Sequence, residues 1–240
     1  MDRFDEFLDS YLEIYIQMKN DGIIDEIIVS DENGNDYEKI LAKYNNGDPS
    51  GPIRLYKNES ILGAFKNKLR AVSYANPTNF IALIDSDNFV NRDYFESAKK
   101  FIDHHQLRCT DHVVLCPYHT MSDFEFDFKE FVGHTIDYLY ARMYSGFSKF
   151  HMLLNVGNYI LTKSVYENLV FDEDSVQNAG PHDVIYKHVL AFQQNSKYRV
   201  YVVPDMKYLH VVHINSFYLQ THQVCLPFYY NTIIPQLCSL

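Results

Sequence analysis

The sequence predicts an α/β domain in which a mixed, mostly parallel sheet is flanked by helices. Segments of strand composition alternate along the chain with segments of helical periodicity, and this alternation is typical of parallel strands joined by helices. Hydrophobic residues make up 47% of the 240 residues, which is enough to fill one large core. No internal repeat or linker-like tract interrupts the chain. We therefore expect a single domain over residues 1–240, with a first half at 1–117 and a second half at 118–240.

Each predicted element follows from local composition. Apolar residues at three- and four-residue spacing predict helices over 3–19, 60–75, 93–106, 123–150 and 182–194. Apolar runs rich in β-branched residues predict strands over 23–30, 80–84, 112–117, 155–162, 198–203 and 208–214. Turn-forming residues predict loops at 31–36 and 45–52, and the chain closes in an aromatic tail.

The net charge excludes one class of partner. The chain has 21 Lys and Arg against 31 acids, a net charge of −10, with no dense basic run, so its field would repel a nucleic-acid backbone. The first twenty residues are too acidic for a secretory signal, and no apolar stretch approaches the roughly eighteen residues that a membrane span needs. We expect a soluble cytoplasmic or otherwise intracellular protein without a nucleic-acid partner.

The segment FIALIDSDN at 80–88 delivers two aspartates, Asp85 and Asp87, directly after a predicted strand. In open α/β sheets, ligands bind beyond the carboxyl ends of the strands. Two carboxylates about 4 to 6 Å apart repel by roughly 3 to 4 kcal/mol at an effective dielectric constant of about 20, and a divalent cation reverses that cost. Oxygen ligands suit Mg²⁺ or Mn²⁺, which leave positions for substrate phosphates. The alternatives are that the two aspartates belong to a simple solvated loop, or that Asp87 or Asn88 only caps the helix that follows.

Three motifs of the first half occur in a recognisable order: IIVSDENGND, then LGAFKNKLRAVSYA, then FIALIDSDN. This order resembles the nucleotide-binding half of the GT-A glycosyltransferases, especially the inverting family-2-like enzymes. The resemblance implies a GT-A-like (Rossmann-like) fold with a nucleotide-sugar-binding half at 1–117, and an acceptor-binding half with a C-terminal tail at 118–240.

The same resemblance implies an activity, a metal-dependent transfer of a sugar from a nucleotide-diphosphate donor to an acceptor hydroxyl with inversion. It implies Mn²⁺ or Mg²⁺ as cofactor and a UDP- or GDP-sugar as donor. The acceptor, which could be a glycan, a protein or a small molecule, stays open, and so does self-association.

The resemblance also assigns donor-side residues. Asp31, at the end of the second strand of the family pattern, would contact the nucleoside, and Lys66 and Asn67 lie where relatives place donor contacts. Asp85 would lie by the ribose and the metal, and Asp87 would ligate the metal that bridges the diphosphate. The alternative for Lys66 is a place on a solvated helix face.

Two further assignments fall in the second half. Asp183 in GPHDVIYKHV matches the catalytic base at a helix N-terminus, although His182 stands where an acid is common. The helix dipole would keep Asp183 ionised, and the alternative is that it only caps the helix. YLHVVHINS resembles the region that supplies a late histidine ligand, and because strand side chains alternate between faces, only one of His210 and His213 can reach the metal. We expect His213, with a core histidine as the alternative.

One departure from the family pattern leaves other functions open. GT-A domains begin with an apolar strand, whereas Met1 opens in what matches the helix after it. Another segment, such as the aromatic C-terminus, could fill that place in the sheet. The alternatives are an inactive GT-A-like protein that binds a sugar or nucleotide, and a phosphatase of the haloacid dehalogenase type, in which a strand also ends in DxD.

Overall fold

The computed structural model describes residues 8–122, 125–167, 169–211 and 217–240. Within these ranges the strands are β1 (Ile28–Asp31), β2 (Arg54–Lys57), β3 (Phe80–Leu83), β4 (Val113–Ser122), β5 (Phe126–Asp127), β6 (Tyr159–Thr162) and β7 (Arg199–His210). The helices are α1 (Asp9–Asn20), α2 (Tyr37–Tyr44), α3 (Gly63–Tyr74), α4 (Arg92–His105), α5 (Tyr138–Tyr144), α6 (Ser148–Leu154), α7 (Glu173–Ala179), α8 (Asp183–Gln194), α9 (Phe217–Phe228) and α10 (Ile234–Cys238).

The strands form two sheets, and the predicted α/β architecture is confirmed. β1 and β2 make a parallel pair, while the larger sheet has the order β3-β6-β4-β5, with β7 along β4. β4 and β7 run parallel along their length, whereas β6 is antiparallel to both β3 and β4, and β5 is antiparallel to β4. The predicted predominance of parallel pairs therefore holds only in part. β3 belongs to the predicted first half and β5, β6 and β7 to the second, while β4 crosses the boundary between residues 117 and 118, so the two halves share one sheet.

β1 and β3 face each other across a gap in the sheet. No hydrogen-bond ladder joins these two strands in the described part of the chain, and a cavity of about 950 Å³ lies between them. Their carboxyl ends lie at the same end of the molecule, because consecutive residues of α3 bond to both: Asn67 to Ser30, and Lys68 to Asp85. The aromatic C-terminus does not fill this gap. It forms α9 and α10, which pack against the turn Gly180–His182 and against α5.

Several elements differ from the sequence prediction. α2, β2 and α7 occupy segments without a predicted element, since short elements give too few turns or alternations to be recognised. The predicted helix over 123–150 is wrong in its first part, where β5 pairs with β4 and a 3₁₀ turn follows at Lys129–Phe131. The apolar residues there satisfy either period, and pairing with β4 decides between them.

β7 is one continuous strand where two were predicted. Pro204 and Asp205 lie inside it, and Asp205 has a positive φ of 63°. A proline cannot donate to a ladder, and a positive φ bends the chain, so this dipeptide looks like a strand break in sequence. The sheet accommodates the Pro204–Asp205 dipeptide through a shift of register after Pro117 of β4, beyond which parallel pairing with β7 resumes.

Helix α8 is the central helix of the second half. All its residues from Asp183 to Phe192 are buried, charged ones included. A helix that is enclosed on all sides must satisfy its polar side chains internally. Within the ranges described, no helix of the chain has the length and apolar character needed to cross a bilayer.

Burial of His188 on α8 predicts a loss of stability in acid. Burial, with Lys187 adjacent, lowers the pKa of His188 from 6.5 to about 3. Its neutral form is therefore retained on folding, and its contribution to stability, complete above pH 6.5, falls as the pH drops from 6.5 towards 3, by about 1.4 kcal/mol per pH unit. We expect His188→Gln to reduce the slope of unfolding free energy against pH by this amount, measured by urea unfolding between pH 4.5 and 6. Substitution of the exposed His134 by Gln controls for the removal of a histidine as such. A slope for His188→Gln equal to that of the wild type would contradict the prediction.

Candidate active site

The DSDN turn after β3 is fastened to the end of β7. The N–H of Asn88 donates to the carbonyl of Asp85 at 3.0 Å, which closes the turn. The buried side chain of Asn88 accepts from the N–H of Val211 at 2.9 Å, and Phe89 pairs with Leu209 of β7. The turn is therefore held in place by the second half of the chain.

The aspartates of this turn do not cap α4. That helix begins at Arg92, and its N-cap is Asn91, whose side chain accepts from the N–H of Tyr94. The capping alternative for Asp87 and Asn88 is therefore wrong.

Asp85 is held at three points. Its N–H donates to Oδ1 of the fully buried Asn158 at 2.8 Å. Its Oδ1 lies 2.9 Å from Nζ of Lys68, whose side chain is 16% exposed against 32% for Asp85. On the other side, Oδ2 packs against Gly157 so closely that a Cβ there would lie 2.6 Å from it. The orientation of this carboxylate is therefore specified by Lys68, Gly157 and Asn158.

Asp183 and Lys187 form a buried ion pair one turn apart on α8. Oδ2 of Asp183 lies 2.8 Å from Nζ of Lys187, and the two side chains are 8% and 1% exposed. The ammonium of Lys187 also lies over the rings of Phe65 and Tyr166, at 4.9 and 5.7 Å from their centroids. Asp183 is thus paired with a cation, and no side-chain cap is made at the start of α8.

Charges in this region shift the pKa values of its residues. Burial raises the pKa of Asp183, but Lys187 and Lys68 outweigh it, and the net shift is downward. Burial lowers the pKa of Lys68, and the carboxylates of Asp85, Asp183 and Asp87 reverse this to a net rise. Burial lowers the pKa of Lys187 more than its partner Asp183 raises it. Lys187 and Lys68 are therefore the main causes of the lowered pKa of Asp183, and the N–H of Val184 at the start of α8 adds to their effect.

The cavity between β1 and β3 extends to these residues. Its lining includes Asp85, Ser86 and Asp87 from the first half, and Gly157 and Asp183 from the second. The structure therefore brings together three of the four acids that the sequence pointed to, Asp85, Asp87 and Asp183, at the carboxyl end of β3. The enclosure is large enough for a small-molecule ligand.

The three predicted donor-side residues on β1 and α3 have other contacts. The carboxylate of Asp31 accepts from the N–H groups of its own loop and of Tyr37 at 2.8 to 3.3 Å, and Asp31 does not line the cavity. Lys66 pairs with Glu173. Asn67 lines the cavity but bonds to Ser30 and Asn58, which ties α3 to the small sheet. Donor contacts by these residues stay predictions.

Of the two histidines considered as metal ligands, the structure describes only His210. His213 lies outside the described residues. His210, at the end of β7, lines the cavity, and its Nδ1 is 3.3 Å from Oη of Tyr208.

The acids at the turn suit a divalent cation by donor type. Asp85 and Asp87 offer the carboxylate oxygens that Mg²⁺ and Mn²⁺ prefer. One oxygen of Asp85 is paired with Lys68, and the described residues contain no group of three or more His, Cys, Asp or Glu side chains gathered for a metal. The donor chemistry therefore fits the cation, and Lys68 already stands beside one of the ligand oxygens.

Sequence reasoning missed Lys68, Lys187 and Asn158. Lys187 could have been found, because Asp183 and Lys187 are four residues apart on a predicted helix. Lys68 and Lys66 cannot be ranked from sequence, since both lie on the same helix and only packing decides which one faces the acids. Asn158 gives no signal at all, because its partner Asp85 is 73 residues away.

Comparison with known proteins gives a consistent result. The family model described as glycosyl transferase family 2 matches residues 2–169. Among curated proteins, none matches the chain significantly. The chain is similar to the crystal structure of S. aureus TarS 1-349, with 16% identity and a TM-score of 0.59, over 99% of this chain and 68% of that one.

Two further structures are similar over smaller parts of their own length. A second S. aureus TarS structure has 18% identity and a TM-score of 0.58, over 93% of this chain and 38% of that one. A structure of GalNAc-T7 with UDP, GalNAc and Mn2+ has 12% identity and a TM-score of 0.50, over 87% of this chain and 43% of that one. Identities this low show a shared fold alone.

Proposed function

Because the chain belongs to glycosyl transferase family 2 and is thus a glycosyltransferase of GT-A fold, we propose that it transfers a sugar from a nucleoside-diphosphate donor to an acceptor hydroxyl with inversion. The observation that carries this proposal is the convergence of Asp85, Asp87 and Asp183 on one cavity. An acid pair suited to a cation and a separate ionised carboxylate are what such a reaction requires. Family membership leaves the phosphatase alternative without support.

Asp183 is proposed as the general base. Its carboxylate would take the proton of the acceptor hydroxyl while that oxygen attacks the anomeric carbon and the bond to the diphosphate oxygen breaks. Direct attack from the face opposite the leaving group inverts the configuration. Since its pKa is lowered, Asp183 would act through position rather than through high basicity, and Lys187 would keep it ionised and oriented.

Asp85 and Asp87 are proposed to hold Mn²⁺ or Mg²⁺. The cation would neutralise charge that develops on the leaving diphosphate. Two residues would position Asp85 for this role: Gly157 by leaving space beside Oδ2, and Asn158 by binding the main chain. A UDP-sugar is the first donor to test, because the GalNAc-T7 structure of the same fold is named with UDP and Mn2+.

Release of the nucleoside diphosphate tests this function directly. The protein is incubated with a panel of UDP- and GDP-sugars, with Mn²⁺, Mg²⁺ or a chelator, and free UDP or GDP is measured. We expect release from one donor that depends on the cation and increases with the correct acceptor. Release of neither nucleotide from any donor, with the fold intact, would favour an inactive binding protein. Hydrolysis of an aryl phosphate instead would support the phosphatase alternative.

Gly157 provides a test of how strictly Asp85 must be placed. In Gly157→Ala the new Cβ would meet Oδ2 of Asp85, so the carboxylate has to rotate out of the orientation that it adopts beside Gly157. We expect sugar transfer to fall on the order of a hundredfold, since displacement of a reacting group by about 1 Å has such an effect, while the melting temperature changes little because the moving atoms end a rotatable side chain. Gly146→Ala is the control, because no atom lies within 4 Å of a Cβ at that position. Equal transfer rates for the two variants would refute the proposed role of Asp85.

A further inference from the structure

The ammonium group of Lys68 lies beside the carboxylate of Asp85, where the divalent cation is proposed to bind. Its ammonium lies 2.9 Å from Oδ1 of Asp85, and the side chain is mostly buried. The residue also lines the cavity, together with Asp87 and Asp183. Lys66, only two residues away and hence on roughly the opposite side of α3, pairs instead with Glu173 outside the cavity. One lysine of this helix is therefore set among the acids.

An ammonium and a divalent cation cannot share Asp85 without cost. The carboxylate of Asp85 has one oxygen on Lys68 and the other against Gly157, so a cation approaching Asp85 and Asp87 meets a positive charge at contact distance. Repulsion between charges at such a separation is strong even at an effective dielectric constant of about 20. Without Lys68, in turn, the acids of the cavity would repel one another.

We propose that Lys68 is a built-in counter-ion of the site, which pairs with Asp85 in the metal-free protein and which a divalent cation must displace in order to bind. This inference rests on the proposed function for the identity of the cation. Lys68 thereby lowers the affinity for the free cation and keeps the acidic cavity stable without it. The displaced ammonium remains in the cavity, where the diphosphate of the donor is proposed to lie, and a lysine is a suitable point charge for phosphate.

Direct measurement of Mn²⁺ binding without any nucleotide tests the counter-ion role. Free Mn²⁺ is followed by electron paramagnetic resonance during titration of the wild type and of Lys68→Met. Loss of a unit charge roughly 4 to 6 Å from the cation should make Mn²⁺ bind at least about tenfold more tightly to Lys68→Met, and the metal-free variant should melt at a lower temperature, with Mn²⁺ restoring it.

Two variants control for effects other than the charge at Asp85. Lys149→Met removes another ion-paired ammonium, 2.7 Å from Glu130 and outside the cavity lining, and should bind Mn²⁺ like the wild type. Lys68→Arg keeps the positive charge and should not bind Mn²⁺ more tightly. Unchanged or weaker Mn²⁺ binding by Lys68→Met would overturn the proposal.

A measurement on the wild type keeps the proposal testable if Lys68→Met does not fold. Reductive methylation of lysines, followed by mass spectrometry of peptides, reports how accessible each amine is. Mn²⁺ should accelerate methylation of Lys68 and leave that of Lys149 unchanged, because only Lys68 is displaced. An unaltered rate at Lys68 under saturating Mn²⁺ would overturn the inference.

Failure of this inference can be told apart from failure of the proposed function. Absence of Mn²⁺ binding in every variant would overturn the counter-ion role, yet release of nucleoside diphosphate in the presence of a chelator would still establish a transferase. Tighter binding by Lys68→Met, in contrast, supports the counter-ion role even when no donor is turned over.

Discussion

Asp183→Asn is expected to lower the rate of sugar transfer by about 10²- to 10⁴-fold, the usual contribution of a general base. Asparagine keeps the size of the side chain but cannot accept the proton of the acceptor hydroxyl. The change also leaves Lys187, whose side chain is 1% exposed, without its partner. Removing one member of a buried ion pair destabilises a protein by roughly 3 to 5 kcal/mol, so activity and stability must be measured together.

A double variant separates these two effects. Asp183→Asn combined with Lys187→Met contains neither charge of the pair, and a neutral replacement of both partners is far less costly than loss of one. We therefore expect the double variant to unfold at higher urea concentration than Asp183→Asn and to remain inactive. Transfer by Asp183→Asn within about threefold of the wild type would rule out the base role, and recovery of transfer in the double variant would assign the defect to folding.

Asp87→Ala is expected to abolish the cation-dependent binding of the donor. A ligand that binds only the folded state at a hundredfold excess over its dissociation constant stabilises it by about 2.7 kcal/mol, which for a domain of this size raises the melting temperature by roughly 5 to 10 °C. That increase, seen with Mn²⁺ and a nucleotide sugar together, should disappear in Asp87→Ala, while transfer should fall at least about a hundredfold. Differential scanning fluorimetry with and without Mn²⁺ measures this increase in melting temperature.

Asp93→Ala serves as the matched control for Asp87→Ala. Asp93 is an exposed acid in the first turn of α4, six positions further along the chain and outside the cavity lining. Its removal changes the net charge by the same amount, so any long-range effect of charge on donor binding is reproduced. A full thermal shift in Asp87→Ala, equal to that in Asp93→Ala, would count against the proposed cation site.

Local sequence signals were sufficient where a residue's role depends on its own element. The short apolar run FIALI, bounded by turn residues, predicts a strand that carries the aspartates of DSD after its carboxyl end. β3 confirms this strand. Helix α8 begins at Asp183, within one residue of the prediction, for the same reason. These local predictions placed Asp85, Asp87 and Asp183 at the ends of their elements, and the family resemblance singled out Asp183 as a candidate base.

Other features depended on contacts that a single segment does not contain. The family resemblance implies that Asp31 contacts a nucleoside, which stays a prediction, whereas the bonds that its carboxylate accepts from the N–H groups of Gly34 and Tyr37 are seen only in the fold. β7 carries Pro204 and Asp205 and still forms one strand, because β4 supplies a partner on both sides of the irregularity. For β7 the local signal of a strand break was present, and the hydrogen-bond partners on β4 decided the outcome.

The sequence by itself determined the alternation of strands and helices, and the presence of acids at the end of β3 and the start of α8, because periodicity and turn chemistry are properties of neighbouring residues. Only the tertiary structure decided that Lys68 rather than Lys66 faces Asp85, that Lys187 neutralises Asp183, and that Gly157 and Asn158 fix the carboxylate. The physical reason is that electrostatic pairing and steric contact act between atoms a few ångströms apart, and folding brings together residues that are far apart along this chain, such as Asn88 and Val211, which are 123 positions apart.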